Sequence, residues 1–312
     1  MVKEQKTADV SFESLLKIFT VPEGPDSTLT KIDESLSRNL NQFLREHIVA
    51  EEKPLREIEK DFSSAQIPEQ PEFVSDHTEH LLDTLVSHSV HTSSPSFIGH
   101  MTSALPYFLM PLSKIMIALN QNLVKIETSK AFTPLERQVL GMLHRLIYGQ
   151  SDTFYDQWMH SANHSLGAFC SGGTIANITA LWVARNKALR ANSSFKGVEK
   201  EGLFKAMKHY GYDGLAVLVS ERGHYSLKKA ADVLGIGQDG LVAVKTDANN
   251  RIIVDDLKAK IVELEKQNIK PIAVIGVAGT TETGNVDPLP EIAEVCQAHG
   301  CHFHVDAAWG GA

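Results

Sequence analysis

The sequence predicts an α/β protein, a mostly parallel sheet flanked by helices and preceded by a helical N-terminal arm, on three observations. After Gly167, short apolar runs alternate with amphipathic helical segments. The runs are continuous rather than alternating apolar with polar, as strands buried on both faces require. Glycine, hydroxyl and charged clusters follow them at their C-terminal ends, where ligands of such sheets bind.

From about Phe12 to His91 the pattern is helical and polar, with loops around Pro22 to Asp26 and Ser63 to Pro71 and no strand signal. Residues 1–94 therefore read as an arm that packs on something else, and residues 95–312 as one large domain. The most apolar stretch, Ala104 to Val124, is broken by Pro106, Pro111, Lys114, Asn120, Gln121 and Asn122. That excludes a membrane span and predicts a buried or dimer-facing helix. Thr133-Pro134-Leu135-Glu136 reads as a helix start, with an N-cap hydroxyl, Pro at the first position and Glu in the capping-box place. Leu135, Val139, Leu143, Leu146 and Ile147 then share one face until Gly149.

Strands are predicted at Leu215 to Val219, Leu241 to Val244, Ile272 to Val277 and Phe303 to Val305. Helices fill Asp256 to Gln267 and Pro288 to His299. For the second of these, Asp287 is the expected N-cap, Pro288 the first residue and Gly300 the stop.

A formal net charge of -8 leaves no basic stripe for a nucleic-acid backbone. Cys170, Cys296 and Cys301 are an odd, sparse set that fits a reducing compartment, so the expected location is cytoplasmic. The segment Met1 to Val10 carries Lys3, Glu4, Lys6 and Asp9 without an apolar core, unlike a secretory signal.

Four features could carry chemistry. Ser171-Gly172-Gly173-Thr174 follows the apolar Ala168-Phe169-Cys170 and opens a helix through Ile175, Ile178, Leu181 and Trp182. Its bare backbone N–H groups and the helix dipole suit a phosphate, although a Gly turn with a capping hydroxyl looks the same. His224, just after the first strand, could stack on a flat ring or move a proton, or simply bond backbone. Gly279-Thr280-Thr281 ends the third strand, where a hydroxyl could reach a ligand or only shape a turn. Asp306 ends the fourth, and a buried carboxylate flanked by small residues suits a protonated pyridine nitrogen as well as it suits a cap. Together they specify an anion holder, a stacking ring, a hydroxyl and a carboxylate in one crevice.

The same features in the same order resemble the group II pyridoxal-phosphate decarboxylases, which act on glutamate, aspartate, diaminobutyrate and aromatic amino acids. The resemblance covers Pro95 to Ala312 and rests on Phe97-Ile98-Gly99-His100-Met101, Thr133-Pro134-Leu135-Glu136, Ser171-Gly172-Gly173-Thr174 with Ala176-Asn177, His224-Tyr225-Ser226, Gly279-Thr280-Thr281 and His304-Val305-Asp306-Ala307-Ala308. It implies the aspartate-aminotransferase-like large domain of fold type I and pyridoxal 5'-phosphate as cofactor. Gly172, Gly173 and Thr174 would bind the phosphate, His224 would stack over the ring and Thr281 would contact the cofactor. Asp306 would pair with the ring nitrogen, Ala308 would pack on the opposite face and Ser103 would lie near the substrate. His224 and Asp306 would be the catalytic pair.

The arm resembles that of the bacterial aspartate 1-decarboxylase branch. This implies a homodimer that converts L-aspartate to β-alanine for pantothenate synthesis, with glutamate or L-2,4-diaminobutyrate as competing substrates. One departure stands out: the family's cofactor lysine follows a histidine beyond the aspartate, and no His-Lys pair occurs in these 312 residues. Lys228 and Lys229 read as solvated charges on the helix after His224. The expectation is thus a chain that stops before that lysine and the small C-terminal domain, inactive alone.

Other readings fit the residues less well. An aminotransferase would share the phosphate cup and Asp but usually lacks the His-Tyr-Ser segment, and a non-catalytic scaffold fits the missing lysine but not the intact ligand residues. A zinc site from Cys296, His299, Cys301, His302 and His304 matches no common spacing. No Gly-x-Gly-x-x-Gly turn supports a dinucleotide, and Ser171 lacks the glycine of a nucleophile elbow.

Overall fold

The β-branched runs that favour strands all lie in the second half of the chain, and the architecture divides accordingly. The computed structural model describes residues 28–45, 49–67, 74–99, 102 and 104–311. The helical signals before residue 28, the loop at 22–26, His100, Met101, the candidate substrate residue Ser103 and Ala312 lie outside the described residues. The chain forms two compact units, Met1–Asn122 and Leu123–Ala312.

The first unit contains helices α1 (Thr28–Arg45), α2 (Val74–Leu81) and α3 (Leu109–Leu119). Its described residues hold no strand, as the sequence predicts. Helix α3 ends at Asn120, whose left-handed φ of 41° an asparagine tolerates. Of the two expectations for this stretch, buried or dimer-facing, burial within the chain is not found: no residue of α3 is buried, and Ile117 is 76% exposed. No described helix is long and apolar enough to cross a membrane.

The second unit opens with α4 (Phe132–Tyr148), α5 (Asp152–Trp158), α6 (Gly173–Ala188) and α7 (Leu203–Tyr210). Gly149 ends α4 with a left-handed φ of 57°, as predicted. The start differs. The N-cap is Ala131, because Thr133 spends its hydroxyl on Ser129. The apolar stripe of α4 is largely uncovered, with Leu146 and Ile147 exposed.

Then come β1 (Gly214–Ser220), α8 (Ser226–Val233), β2 (Leu241–Val244), α9 (Val254–Lys266), β3 (Ile269–Val277), α10 (Leu289–His299) and β4 (His302–Asp306). The four strands are parallel in the order β2-β1-β3-β4. Successive strand residues point to opposite faces. Leu215, Val217 and Val219 of β1, with Ala273, Ile275 and Val277 of β3, join a core with Leu181 and Ala184 of α6 and Leu227 and Ala230 of α8. Leu218 and Val274 face the other way, onto Leu257 and Ile261 of α9 and Ile292 and Val295 of α10. The helices following the neighbouring strands β1 and β3 thus lie on opposite faces, and a crevice opens between such strands at their carboxyl ends.

Asp287 is not the cap of α10, a second correction. Pro288 occupies that position without a side-chain bond. The Asp287 carboxylate is buried and instead accepts the backbone N–H of Ile252 at 2.7 Å and of Val277 at 2.8 Å. It clamps the end of β3 to the segment before α9, and burial pushes its pKa up despite those two bonds. Gly300 closes α10 in the left-handed region, as predicted.

Candidate functional site

β1 ends at Ser220, β3 at Val277 and β4 at Asp306, all at one edge of the sheet. After β1 the chain reverses tightly, the N–H of Gly223 donating to the Ser220 carbonyl at 2.8 Å. A side chain at Gly223 would strike Val219, so the turn that delivers His224 needs a glycine.

His224 stands half-buried at the mouth of α8. Its Nδ1 lies 2.8 Å from the Ser226 hydroxyl and 3.2 Å from the Ser226 backbone nitrogen. Its ring centroid is 4.1 Å from that of Tyr225, itself exposed. Lys228 and Lys229 are exposed on α8, as solvated charges should be.

Asn177 joins this corner to β4. It falls on the buried stripe of α6 with Leu181 and Ala184, at helical spacing. Its Nδ2 donates to the Ser226 hydroxyl and to Asp306 Oδ2, each at 3.1 Å. Its Oδ1 lies 2.8 Å from His304 Nε2. Asp306 is 9% exposed, and the backbone N–H of Ala308 donates to its other oxygen at 3.4 Å. Burial pushes the His304 imidazole below its ordinary range; Asp306 opposes this and His302 adds to it.

The phosphate candidates sit beside this carboxylate. Gly172 caps α6 without a side-chain hydrogen bond, so no side chain of the cap residue satisfies the N–H groups of the helix opening. A Cβ placed on Gly173 would come 3.6 Å from the Ala308 Cβ, so the α6 opening and the residue after Asp306 are neighbours. Gly279, with φ of 92°, brings the loop after β3 against Trp309 and Gly310. In that loop Thr280 is buried, its hydroxyl accepting the N–H of Asn285 at 3.1 Å, whereas the predicted Thr281 is exposed.

The structure therefore gathers Gly173, Ala308, Asp306 and His224 around one cluster. Sequence reasoning gave no role to Asn177 or Ser226, and named His304 only as a ligand in the rival zinc reading. The available signal was an amide on the apolar stripe of a helix, since a buried amide must find partners. Of the residues in the rival zinc reading, His299 faces Glu265 at 3.2 Å, the Cys301 thiol faces the Cys296 carbonyl at 3.8 Å and His304 faces Asn177. Among the described residues no three His, Cys, Asp or Glu side chains are grouped to hold a metal.

Comparison with known proteins bears on the family and the fold. The family described as Pyridoxal-dependent decarboxylase conserved domain matches residues 54–312. The chain is 76% identical to an aspartate 1-decarboxylase of Aliivibrio fischeri over 312 residues, 100% of this chain and 57% of that protein. It is 35% identical to a cysteine sulfinic acid decarboxylase of Mus musculus over 228 residues, 73% of this chain and 41% of that protein. The chain thus spans between two fifths and three fifths of these relatives. Among solved structures, mouse CSAD matches with a TM-score of 0.72 and 30% identity, over 89% of this chain and 55% of that one. The glutamate decarboxylase domain of a diaminobutyrate-pyruvate transaminase and L-2,4-diaminobutyrate decarboxylase from Vibrio parahaemolyticus matches with a TM-score of 0.81 over 96% of this chain and 62% of that one; its 22% identity bears on the fold alone.

Proposed function

The chain belongs to the pyridoxal-dependent decarboxylase family, and on that premise we propose that the protein binds pyridoxal 5'-phosphate and decarboxylates an acidic amino acid, L-aspartate to β-alanine. The observation that carries the reading is the buried Asp306 carboxylate at the end of β4, next to a helix opening whose Gly173 abuts Ala308. The 76% identity to an aspartate 1-decarboxylase supports the choice of substrate.

The residues fit the cofactor. A carboxylate suits a protonated pyridine nitrogen, an uncapped helix opening suits a phosphate, and small residues between them leave room for a flat ring. When bound, the cofactor supplies an electron sink for the pair left behind as carbon dioxide departs. Asp306 would hold a proton on the ring nitrogen by its charge, which makes that sink effective. Gly172, Gly173 and Thr174 would bind the phosphate. His224 would lie over the ring and fix its plane, with Ala308 on the other face. Thr281 would contact the cofactor from the loop after β3, and Ser103 would lie near the substrate.

The reading includes a cytoplasmic homodimer formed with the arm of residues 1–94. Three free cysteines support the compartment. The uncovered apolar residues Ile115 and Ile117 of α3, and separately Leu146 and Ile147 of α4, support association.

Aspartate and glutamate differ by one methylene, and size alone separates such a pair by only about 1 to 3 kcal/mol. The test is therefore a direct competition. The full-length, cofactor-loaded protein is given aspartate, glutamate, cysteine sulfinate, diaminobutyrate or an aromatic amino acid, and carbon dioxide release is followed. Aspartate should show the highest kcat/KM. A higher value for another substrate would overturn the substrate assignment, and no release from any would overturn the decarboxylase reading.

A further inference from the structure

We infer that Asn177 and Ser226 are positioning residues that pass the polarity of the Asp306 carboxylate on to His224, fixing its neutral imidazole as the tautomer with the proton on Nε2. The importance of this for catalysis rests on the cofactor-site reading above; the bonding pattern stands on this chain's own atoms.

The directions of the hydrogen bonds are fixed at two ends, by the Asp306 carboxylate and by the Ser226 backbone N–H. An ionised carboxylate only accepts, so the amide edge that faces Asp306 Oδ2 at 3.1 Å is the NH2 group of Asn177. The same nitrogen lies 3.1 Å from the Ser226 hydroxyl oxygen, which receives the second amide hydrogen. A hydroxyl has one hydrogen. Its oxygen accepts from Asn177, and because the Ser226 backbone N–H donates to His224 Nδ1, that nitrogen carries its lone pair and the hydroxyl hydrogen turns to it at 2.8 Å. The Ser226 backbone N–H approaches the same Nδ1 at 3.2 Å. A ring nitrogen met by two donors must carry its lone pair, so the proton of the neutral ring sits on Nε2.

His304 holds the amide in this orientation. Its Nε2 lies 2.8 Å from Asn177 Oδ1, which can only accept, so His304 also carries its proton on Nε2. Flipping Asn177 would set an amide oxygen against the Asp306 carboxylate. Asn177 is 4% exposed and Ser226 0%, so water does not compete for these bonds. His224 then meets any ligand at Nε2 as a hydrogen-bond donor, with its Nδ1 lone pair already engaged. In the neutral state it can give a proton at Nε2 but cannot take one there.

Neutron diffraction from deuterium-exchanged crystals of the full-length protein without cofactor tests the pattern directly. A deuteron on His224 Nε2, with the Ser226 deuteron directed at Nδ1, is expected. A deuteron on His224 Nδ1 overturns the inference, whatever the protein's activity. In the cofactor-loaded enzyme, Ser226→Ala should lower kcat by about tenfold with little change in KM, the signature of a lost positioning contact. Asn177→Asp keeps the shape but puts a second carboxylate beside Asp306, so the two titrate together and the acid limb of the cofactor's absorbance against pH should move upward. An unchanged kcat in the first variant together with an unchanged absorbance profile in the second would overturn the positioning roles. Failure of the wild-type protein to bind pyridoxal 5'-phosphate would instead sink the cofactor reading, and the neutron result would still decide the tautomer.

Discussion

The imidazole of His304 on β4 lies 2.8 Å from the amide oxygen of Asn177 on α6, and burial makes that imidazole hard to charge. His302 is likewise held below its ordinary 6.5 by burial, with Lys187 adding repulsion. Their folded pKa values are depressed, so the unfolded chain takes up these protons first as pH falls. The stability they contribute is intact above the unfolded value of 6.5 and is lost as pH drops from there toward the folded values. The unfolding free energy of the full-length protein, from urea denaturation, should fall between about pH 7.5 and 5.5 by at most about 1.4 kcal/mol per pH unit for each imidazole. His304→Gln keeps an N–H for Asn177 and should flatten that slope. An unchanged slope would mean that His304 is not depressed.

Asp287 offers a test of stability away from the proposed chemistry. Asp287→Ala would strip the N–H groups of Ile252 and Val277 of their acceptor inside the protein. Each unsatisfied buried group costs about 1 to 3 kcal/mol, so for the two groups a loss of about 2 to 6 kcal/mol is expected. Asp287→Asn should recover only part of it, because its NH2 would face one of the two donors. Denaturation of the two variants beside wild type measures both differences; a loss under about 1 kcal/mol for Asp287→Ala would contradict the clamp.

Which parts of this arrangement were legible in the sequence depends on how far apart the partners lie. The strands were readable because a run such as Leu215 to Val219 carries its burial in its own composition. Gly149 and Gly300 were readable as helix ends because a left-handed stop is a local need. Asp287 was misread because the local rule for Asp before Pro is capping, while its true partners Ile252 and Val277 are 35 and 10 residues away. Thr133 failed as a cap for a nearer reason: Ser129, four residues back, took its hydroxyl. Asn177 belongs to a recognisable motif, yet its partners Ser226 and Asp306 are 49 and 129 residues distant, and only the packing of α6 on the sheet brings them together.

Gly279 couples the loops that follow β3 and β4. Its φ of 92° is rare for a residue with a side chain, and a Cβ there would lie 2.8 Å from Trp309 Cδ1 and 3.0 Å from the Gly310 nitrogen. Gly279→Ala should therefore cost about 1 to 3 kcal/mol of stability. By shifting residues 309 and 310 it should also disturb Ala308, so the affinity for pyridoxal 5'-phosphate should fall. Cofactor titration followed by absorbance checks the second effect; full stability and full affinity together would show that the contact is not tight.

Asp306→Asn separates the charge of the site from its shape. The new amide oxygen could still accept from Asn177, and the position stays buried at the end of β4, so the fold should survive with a loss near about 1 kcal/mol. What disappears is the negative charge that would keep a proton on the cofactor's ring nitrogen. Removal of such electrostatic stabilisation typically slows turnover by about a hundredfold or more, and the full-length enzyme should lose at least that in kcat. The loss should fall mainly on kcat rather than KM, because the charge acts where electrons accumulate as carbon dioxide leaves. Steady-state kinetics with aspartate, beside a denaturation curve of the same variant, makes the distinction. Near-normal turnover in a folded Asp306→Asn protein would remove Asp306 from the role of ring-nitrogen partner.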